Sequence, residues 1–157
     1  MTTGNLTPGS AFTIDHVREI GAPAERVWAV ICDLDAYPAW NPFVVACRST
    51  LAVGDPIWMR VRIFRCFAQP QLETIFEHVA GSRLCYGLAP LPLGALASRR
   101  CHELEPLGAD RTRYRSHFEL RGWLAPLVRV LLGARLEQGF GAMSAALAAR
   151  AESRPTP

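Results

Sequence analysis

The stretch YPAWNPFV, Tyr37 to Val44, sets three aromatic residues and two prolines around one asparagine. It follows a helical segment and precedes an extended one, so its reading decides how the chain passes from helix to sheet. Pro38 suits the first turn of a short helix, where a missing N–H is not needed. Pro42 biases Asn41 away from helical angles and ends that turn. Tyr37, Trp40 and Phe43 then act as apolar weights that fix a corner to the core. The stretch is therefore expected to be a corner between two short helices and a sheet.

Upstream, FTIDHVREI (Phe12 to Ile20) reads as a strand ended by Gly21. APAERVWAVICDL puts Pro23 at a helix start, with Val27, Trp28, Val30, Ile31 and Leu34 at helical spacing. Asp33 and Asp35 are expected to cap the next turn. Downstream, FVVACRST, IWMRVRIF, QLETIFEHV, RLCYGL, RRCHELEPL and RTRYRSHFELRG read as strands. Two hairpins are expected, one at Ala80-Gly81-Ser82 and one around Gly108 and Asp110. APLPLGALAS between them is an apolar loop that either packs down or lids an opening. The chain closes on a helix from Leu124 to Ala151, about 42 Å long. Its apolar stripe is Leu132, Leu136, Phe140, Met143 and Leu147, and it is broken by Gly133, Gly139 and Gly141. Close packing and a yielding helix are both readings of those glycines.

Strand, two short helices, about six more strands and a long helix make an α+β chain with an antiparallel sheet, one face of which the last helix must cover. A chain of 157 residues is most economically one domain and buries about 70% of its unfolded surface. The expected division is a disordered lead at 1–10, a single domain at 11–152 and a disordered tail at 153–157. No run of about eighteen apolar residues occurs, so stable membrane insertion is not expected. The opening ten residues lack a basic start and an apolar core, and the expected location is cytoplasmic. All 17 basic residues are arginine, against 14 acidic ones, and they form no stripe or motif for nucleic acid. Five cysteines, Cys32, Cys47, Cys66, Cys85 and Cys101, show no paired spacing and read as reduced thiols. Cys101 and His102 point to opposite faces of a strand, so no metal site is proposed, and no cofactor fingerprint is present.

The run IGAPAERVWAVICDLDAYPAWNPFV resembles the entry segment of the START-like, or SRPBCC, helix-grip superfamily, in particular its polyketide cyclase/dehydrase-like branch. Gly54-Asp55, the ELEPLG turn and Gly122 before the final helix fit the same pattern. The resemblance covers about Phe12 to Glu152. It implies a curved antiparallel sheet of about seven strands wrapped around the C-terminal helix, with two short helices after strand 1 and an apolar cavity between sheet and helix. It also implies that strands 1, 6 and 7 lie side by side.

Strand parity then proposes cavity residues. If Ile14 and Ile20 face the helix, so do His16 and Arg18. If Leu104 does, so do Arg100 and His102, and Phe118 brings Tyr114 and Ser116. His16, Arg18, Arg100, His102, Tyr114 and Ser116 are thus candidates for a cationic patch, with few acids on the same faces. Trp40, Phe43, Met59, Tyr86, Phe118 and Phe140 are candidates for the apolar lining. A buried guanidinium needs a partner, and a ligand carboxylate, phenolate or enolate supplies one. His117 reads as exposed.

Three functions are compatible with these residues. The first is binding of a hydrophobic small molecule, anionic, aromatic or lipid-like, by a monomer or homodimer. The second is a cyclase, aromatase or dehydratase in which His or Arg side chains stabilise an enolate. The third is a protein-interaction module with a filled cavity. A histidine near neutral pKa in the cavity favours the second, and a filled core the third.

Overall fold

The computed structural model describes residues 11–153, and the expected lead and most of the expected tail lie outside the described residues. Strand β1 (Phe12–Ile20) is followed by helix α1 (Ala24–Cys32), a 3-10 turn (Leu34–Ala36) and helix α2 (Tyr37–Trp40). Strands β2 (Val44–Ser49), β3 (Pro56–Phe64), β4 (Phe67–Val79), β5 (Arg83–Gly87), β6 (Ala97–Gly108) and β7 (Arg111–Arg121) follow, then helix α3 (Ala125–Glu152). The strands form one sheet in the order β1-β7-β6-β5-β4-β3-β2, with every neighbouring pair antiparallel. This is the α+β helix-grip architecture, and β1, β7 and β6 do lie side by side.

The corner at Tyr37–Val44 forms as its residues dictate. Tyr37 is buried and its hydroxyl donates to the Ile31 carbonyl at 2.7 Å, tying α2 back to α1. Asn41 is buried, and its Oδ1 accepts from the backbone N–H of Phe43 at 3.0 Å and of Val44 at 2.9 Å. One side chain thus satisfies two donors that leave the helix before the ladder begins. Trp40 packs edge-on against Tyr37. The aspartates expected to cap this turn do not: no side chain caps either element, and the turn is held by Ala36 N–H donating to the Asp33 carbonyl at 3.2 Å. Both aspartates are exposed, where water competes for the same acceptors.

Helix α3 lies across the concave face and buries Leu136, Phe140, Met143 and Leu147 against it. Gly139 decides between the two readings of its glycines: a Cβ there would overlap the Phe43 ring, so this glycine exists for close approach of helix to corner. The loop after β5 is stapled to the start of α3, with Trp123 N–H donating to the Gly94 carbonyl at 3.3 Å and Leu124 N–H to that of Ala95 at 3.0 Å.

Two expectations on cysteine and histidine are corrected. Cys85 and Cys101 sit directly opposite in the β5–β6 register, with Cα atoms 4.2 Å apart, and form a disulfide. Spacing in the chain carries no trace of this, because antiparallel pairing brings together residues 16 apart. The disulfide faces outward beneath the ion pairs that Arg83 and Arg99 make with Glu77 and that Arg83 and Arg115 make with Glu103. His117 is half-buried, and its Nδ1 lies 2.9 Å from Asp15. Burial acts to raise the Asp15 pKa, but hydrogen bonds from His117 and Arg115 outweigh it and hold the carboxyl below its usual range. Closing the loop between Cys85 and Cys101, which are 16 residues apart, contributes about 3 kcal/mol to stability. Cys101→Ser is therefore expected to lower the urea midpoint under oxidising conditions and to leave it unchanged in reductant. Equal midpoints for both proteins in both conditions would show the pair to be thiols in solution.

Candidate functional site

Between the sheet and α3 lies a cavity of about 390 Å³. Its wall is built by strand alternation. One row across the sheet carries Ile75 of β4, Tyr86 of β5, Arg100 of β6 and Phe118 of β7, each opposite the next in register. Period-two alternation puts Gln71 and Glu73 on the same face as Ile75, and Ser98 on that of Arg100. All of these except Ile75 line the cavity, with Met59 and Val61 from β3 and Leu132, Leu136 and Phe140 from α3. The lining is predominantly apolar, with a few polar groups converging on it.

Arg100 is the dominant electrostatic feature. It is 3% exposed, and Nη1 donates to the Ser116 hydroxyl at 2.5 Å. Nη2 points at the Met143 sulfur, 3.7 Å away, and the guanidinium lies 4.1 Å from the centre of the Phe140 ring. Among the described residues no carboxylate comes within ion-pair distance of it; the ion pairs run over Arg83, Arg99, Arg111, Arg113, Arg115 and Arg121 on the exposed face instead. A neutral hydroxyl, a thioether and a ring face are weak partners for a desolvated cation.

Behind Arg100 sits a closed polar relay. His102 is fully buried, with Nε2 3.1 Å from the Tyr86 hydroxyl and Nδ1 2.8 Å from that of Tyr114. Burial first, and the nearby Arg100 charge second, push the His102 pKa well below the usual imidazole value. The imidazole is therefore neutral, one nitrogen accepting and the other donating. Burial likewise raises the Tyr86 and Tyr114 hydroxyls above their usual range. The relay positions the floor beneath Arg100 and is sealed from the cavity except at Tyr86.

The structure separates the twelve sequence candidates into three groups. Phe43, Met59, Tyr86, Arg100, Phe118 and Phe140 line the cavity. His102, Tyr114 and Ser116 are fully buried beneath it and do not reach its surface. His16, Arg18 and Trp40 lie elsewhere. Arg18 is exposed, because β1 is an edge strand and a long cationic side chain extends past the helix to water. His16 packs beneath Gly141 of α3, whose absent Cβ leaves room for the ring. Trp40 stays with the corner. The expected cationic patch therefore reduces to a single arginine.

Sequence reasoning missed Glu73, Gln69, Gln71 and Ser98, all of which line the cavity. Glu73, on β4, is the one acid among the described residues that line the cavity. Its parity with Ile75 was a usable signal, but β4 carries shifts in register on both sides of this segment, and alternation alone does not say where each shift falls. Burial pushes the Glu73 carboxyl up to about 7, against the opposing pull of Arg100. Among the described residues no three His, Cys, Asp or Glu side chains converge in a set that could hold a metal ion. No helix among them is long and apolar enough to cross a membrane.

Comparison with known proteins agrees with this architecture. The family model described as polyketide cyclase/dehydrase and lipid transport matches residues 11–152. No curated protein matches the chain in sequence. Among solved structures, the Zhui aromatase/cyclase from Streptomyces sp. R1128 is similar with a TM-score of 0.74 at 17% identity, over 91% of this chain and 94% of that one. A START superfamily protein from Mycobacterium smegmatis is similar with a TM-score of 0.66 at 22% identity, over 89% and 97%. Norcoclaurine synthase from Thalictrum flavum, in complex with dopamine and hydroxybenzaldehyde, is similar with a TM-score of 0.70 at 16% identity, over 100% and 98%. At these identities the likeness is one of fold.

Proposed function

The chain belongs to the polyketide cyclase/dehydrase and lipid transport family, and from that premise we propose that it binds a hydrophobic small molecule in the cavity, with an anionic oxygen of that molecule on Arg100. One observation carries this reading: a buried guanidinium on the wall of an apolar cavity, without a carboxylate partner among the described residues. A carboxylate or phenolate would supply two charge-assisted hydrogen bonds in the fork geometry that guanidinium favours. Apolar rings or an acyl chain would fill the rest. Leu88 and Leu96, from the loop between β5 and β6, reach the lining and act as a partial lid. The ligand class is aromatic or lipid-like, the location cytoplasmic, and the assembly a monomer or homodimer.

Two observations rank binding ahead of the alternatives. An enzyme using cavity histidine needs an imidazole that reaches the ligand and titrates near neutrality, whereas His102 is buried, doubly hydrogen-bonded and held neutral. An interaction module with a filled core needs no open volume, and about 390 Å³ stands open here. Native mass spectrometry of freshly purified protein, followed by organic extraction, tests the reading. The expected result is a discrete bound mass of carboxylate or phenolic character. An empty spectrum, with no thermal shift across fatty acids, naphthoates and polyphenols, would overturn it.

A further inference from the structure

We propose that Glu73 is a second polar pole of the cavity, so that the preferred ligand carries two oxygen functions: an anionic one on Arg100 and an uncharged acceptor oxygen, carbonyl, ether or hydroxyl, held by a protonated Glu73. The inference rests on the binding reading above and adds the ligand's chemical class to it.

The placement follows from register. Tyr86 pairs with Arg100 on one side and with Ile75 on the other, so Arg100 and Ile75 are two strands apart in one row. Glu73 lies one inward position along β4 from Ile75. The two backbones are therefore about 10 Å apart across the sheet. Both side chains line the same cavity. They form no ion pair with each other, and among the described residues Glu73 has neither an ion pair nor a hydrogen-bond partner. Gln69 and Gln71 line the same stretch of wall and extend this pole with neutral donors and acceptors.

The charges around Glu73 are few. Arg100 of β6 faces it, as do the Tyr86 hydroxyl of β5 and the Cys47 thiol of β2, both of which burial keeps protonated. Strands β3 and β7 and helix α3 contribute only apolar side chains to the lining. With its pKa raised to about 7, Glu73 is about half protonated at neutral pH. A bound anion on Arg100 cancels the positive charge that favours the carboxylate. The body of the ligand also removes water from it. Both changes favour the protonated form, which has one O–H to donate. A ligand with an acceptor oxygen at that point satisfies the donor. One without it, such as a simple fatty acid, leaves a desolvated carboxyl unpartnered at a cost in affinity.

The sign of the pH dependence follows. Above pH about 7 the free protein holds Glu73 ionised, and the complex must regain the proton, so affinity for anions falls as pH rises. Titration calorimetry with 2-naphthoate and 6-methoxy-2-naphthoate, in two buffers of different ionisation enthalpy, tests this. The wild type is expected to take up about half a proton at pH 7, and its affinity to fall by up to about tenfold per pH unit above that. The methoxy compound is expected to bind more tightly. Glu73→Gln should abolish the uptake and flatten the profile while keeping the methoxy preference, because an amide still donates. Glu73→Leu should lose both. Raised folded-state pKa means that Glu73 opposes folding as pH rises from about 4.5 to 7, so Glu73→Gln should be at least as stable as wild type at neutral pH. Naphthoate binding without uptake, or with equal uptake in Glu73→Gln, overturns the role of Glu73 and leaves the cavity reading standing. No binding of either naphthoate also overturns the role of Glu73 as stated, and the cavity reading falls with it only if fatty acids and polyphenols give no thermal shift either.

Discussion

Arg100→Met is expected to weaken binding of aromatic carboxylates by about 10- to 100-fold while leaving the ligand-free protein folded, with its melting temperature unchanged or raised. The two effects have one cause. The guanidinium is desolvated and, among the described residues, supported by neutral groups, chiefly Ser116, Met143 and the face of Phe140, so it costs free energy in the absence of a ligand. Methionine fills similar volume, carries no charge and takes one hydrogen-bond donor from the Ser116 hydroxyl, at about 1 kcal/mol. In the complex the same arginine supplies charge-assisted hydrogen bonds of about 1.5–3 kcal/mol, which sets the size of the lost affinity. Arg100→Lys should recover only part of it, because an ammonium keeps the charge without the planar fork. Calorimetry with 2-naphthoate and a thermal melt of each variant decide the matter. A naphthoate affinity within threefold of wild type in Arg100→Met would place the anion elsewhere. A large loss of stability would instead mean that Arg100 is a structural cation.

Asn41→Leu is the substitution with the largest expected effect on folding, a loss of about 2–4 kcal/mol in urea unfolding. A single side-chain oxygen answers two backbone donors, those of Phe43 and Val44, in a buried corner that water does not reach. Removing it strands both, at about 1–3 kcal/mol each before relaxation. Against a total stability of about 5–15 kcal/mol that is a large fraction. Asn41→Asp should cost less, since the carboxylate keeps the acceptor and the Nδ2 group it replaces has no hydrogen-bond partner among the described residues. If Asn41→Leu melts within 0.5 kcal/mol of wild type, the corner is held by its aromatic weights alone. The effect extends to the cavity, because Phe43 lies next to Asn41, lines the cavity and packs edge-on against Phe140 at 5.0 Å.

The order of elements, the corner at Tyr37–Val44 and the inward face of most strands were legible in the sequence. Each depends on local chemistry: proline and asparagine geometry at the corner, period-two alternation in the strands, and apolar spacing in α3. The cavity was legible only in part, and its residues show why. His16, Arg18 and Arg100 have the parity of the inward face, yet one packs under a glycine, one reaches water from an edge strand and one sits on the cavity wall. Parity says which side of the sheet a residue takes. It does not say how far along a curved sheet the covering helix extends, and that distance decides between core, cavity and solvent.

Sequence by itself therefore determined the helix-grip architecture and a short list of inward polar residues. Tertiary structure alone decided that Arg100 lacks a carboxylate partner among the described residues, that Glu73 shares its cavity, that His102 is shut away between two tyrosines, and that Cys85 meets Cys101. The physical reason is common to all four. Each is a relation between strands distant in sequence, set by register and by bulges, and a shift of one position moves a side chain to the opposite face.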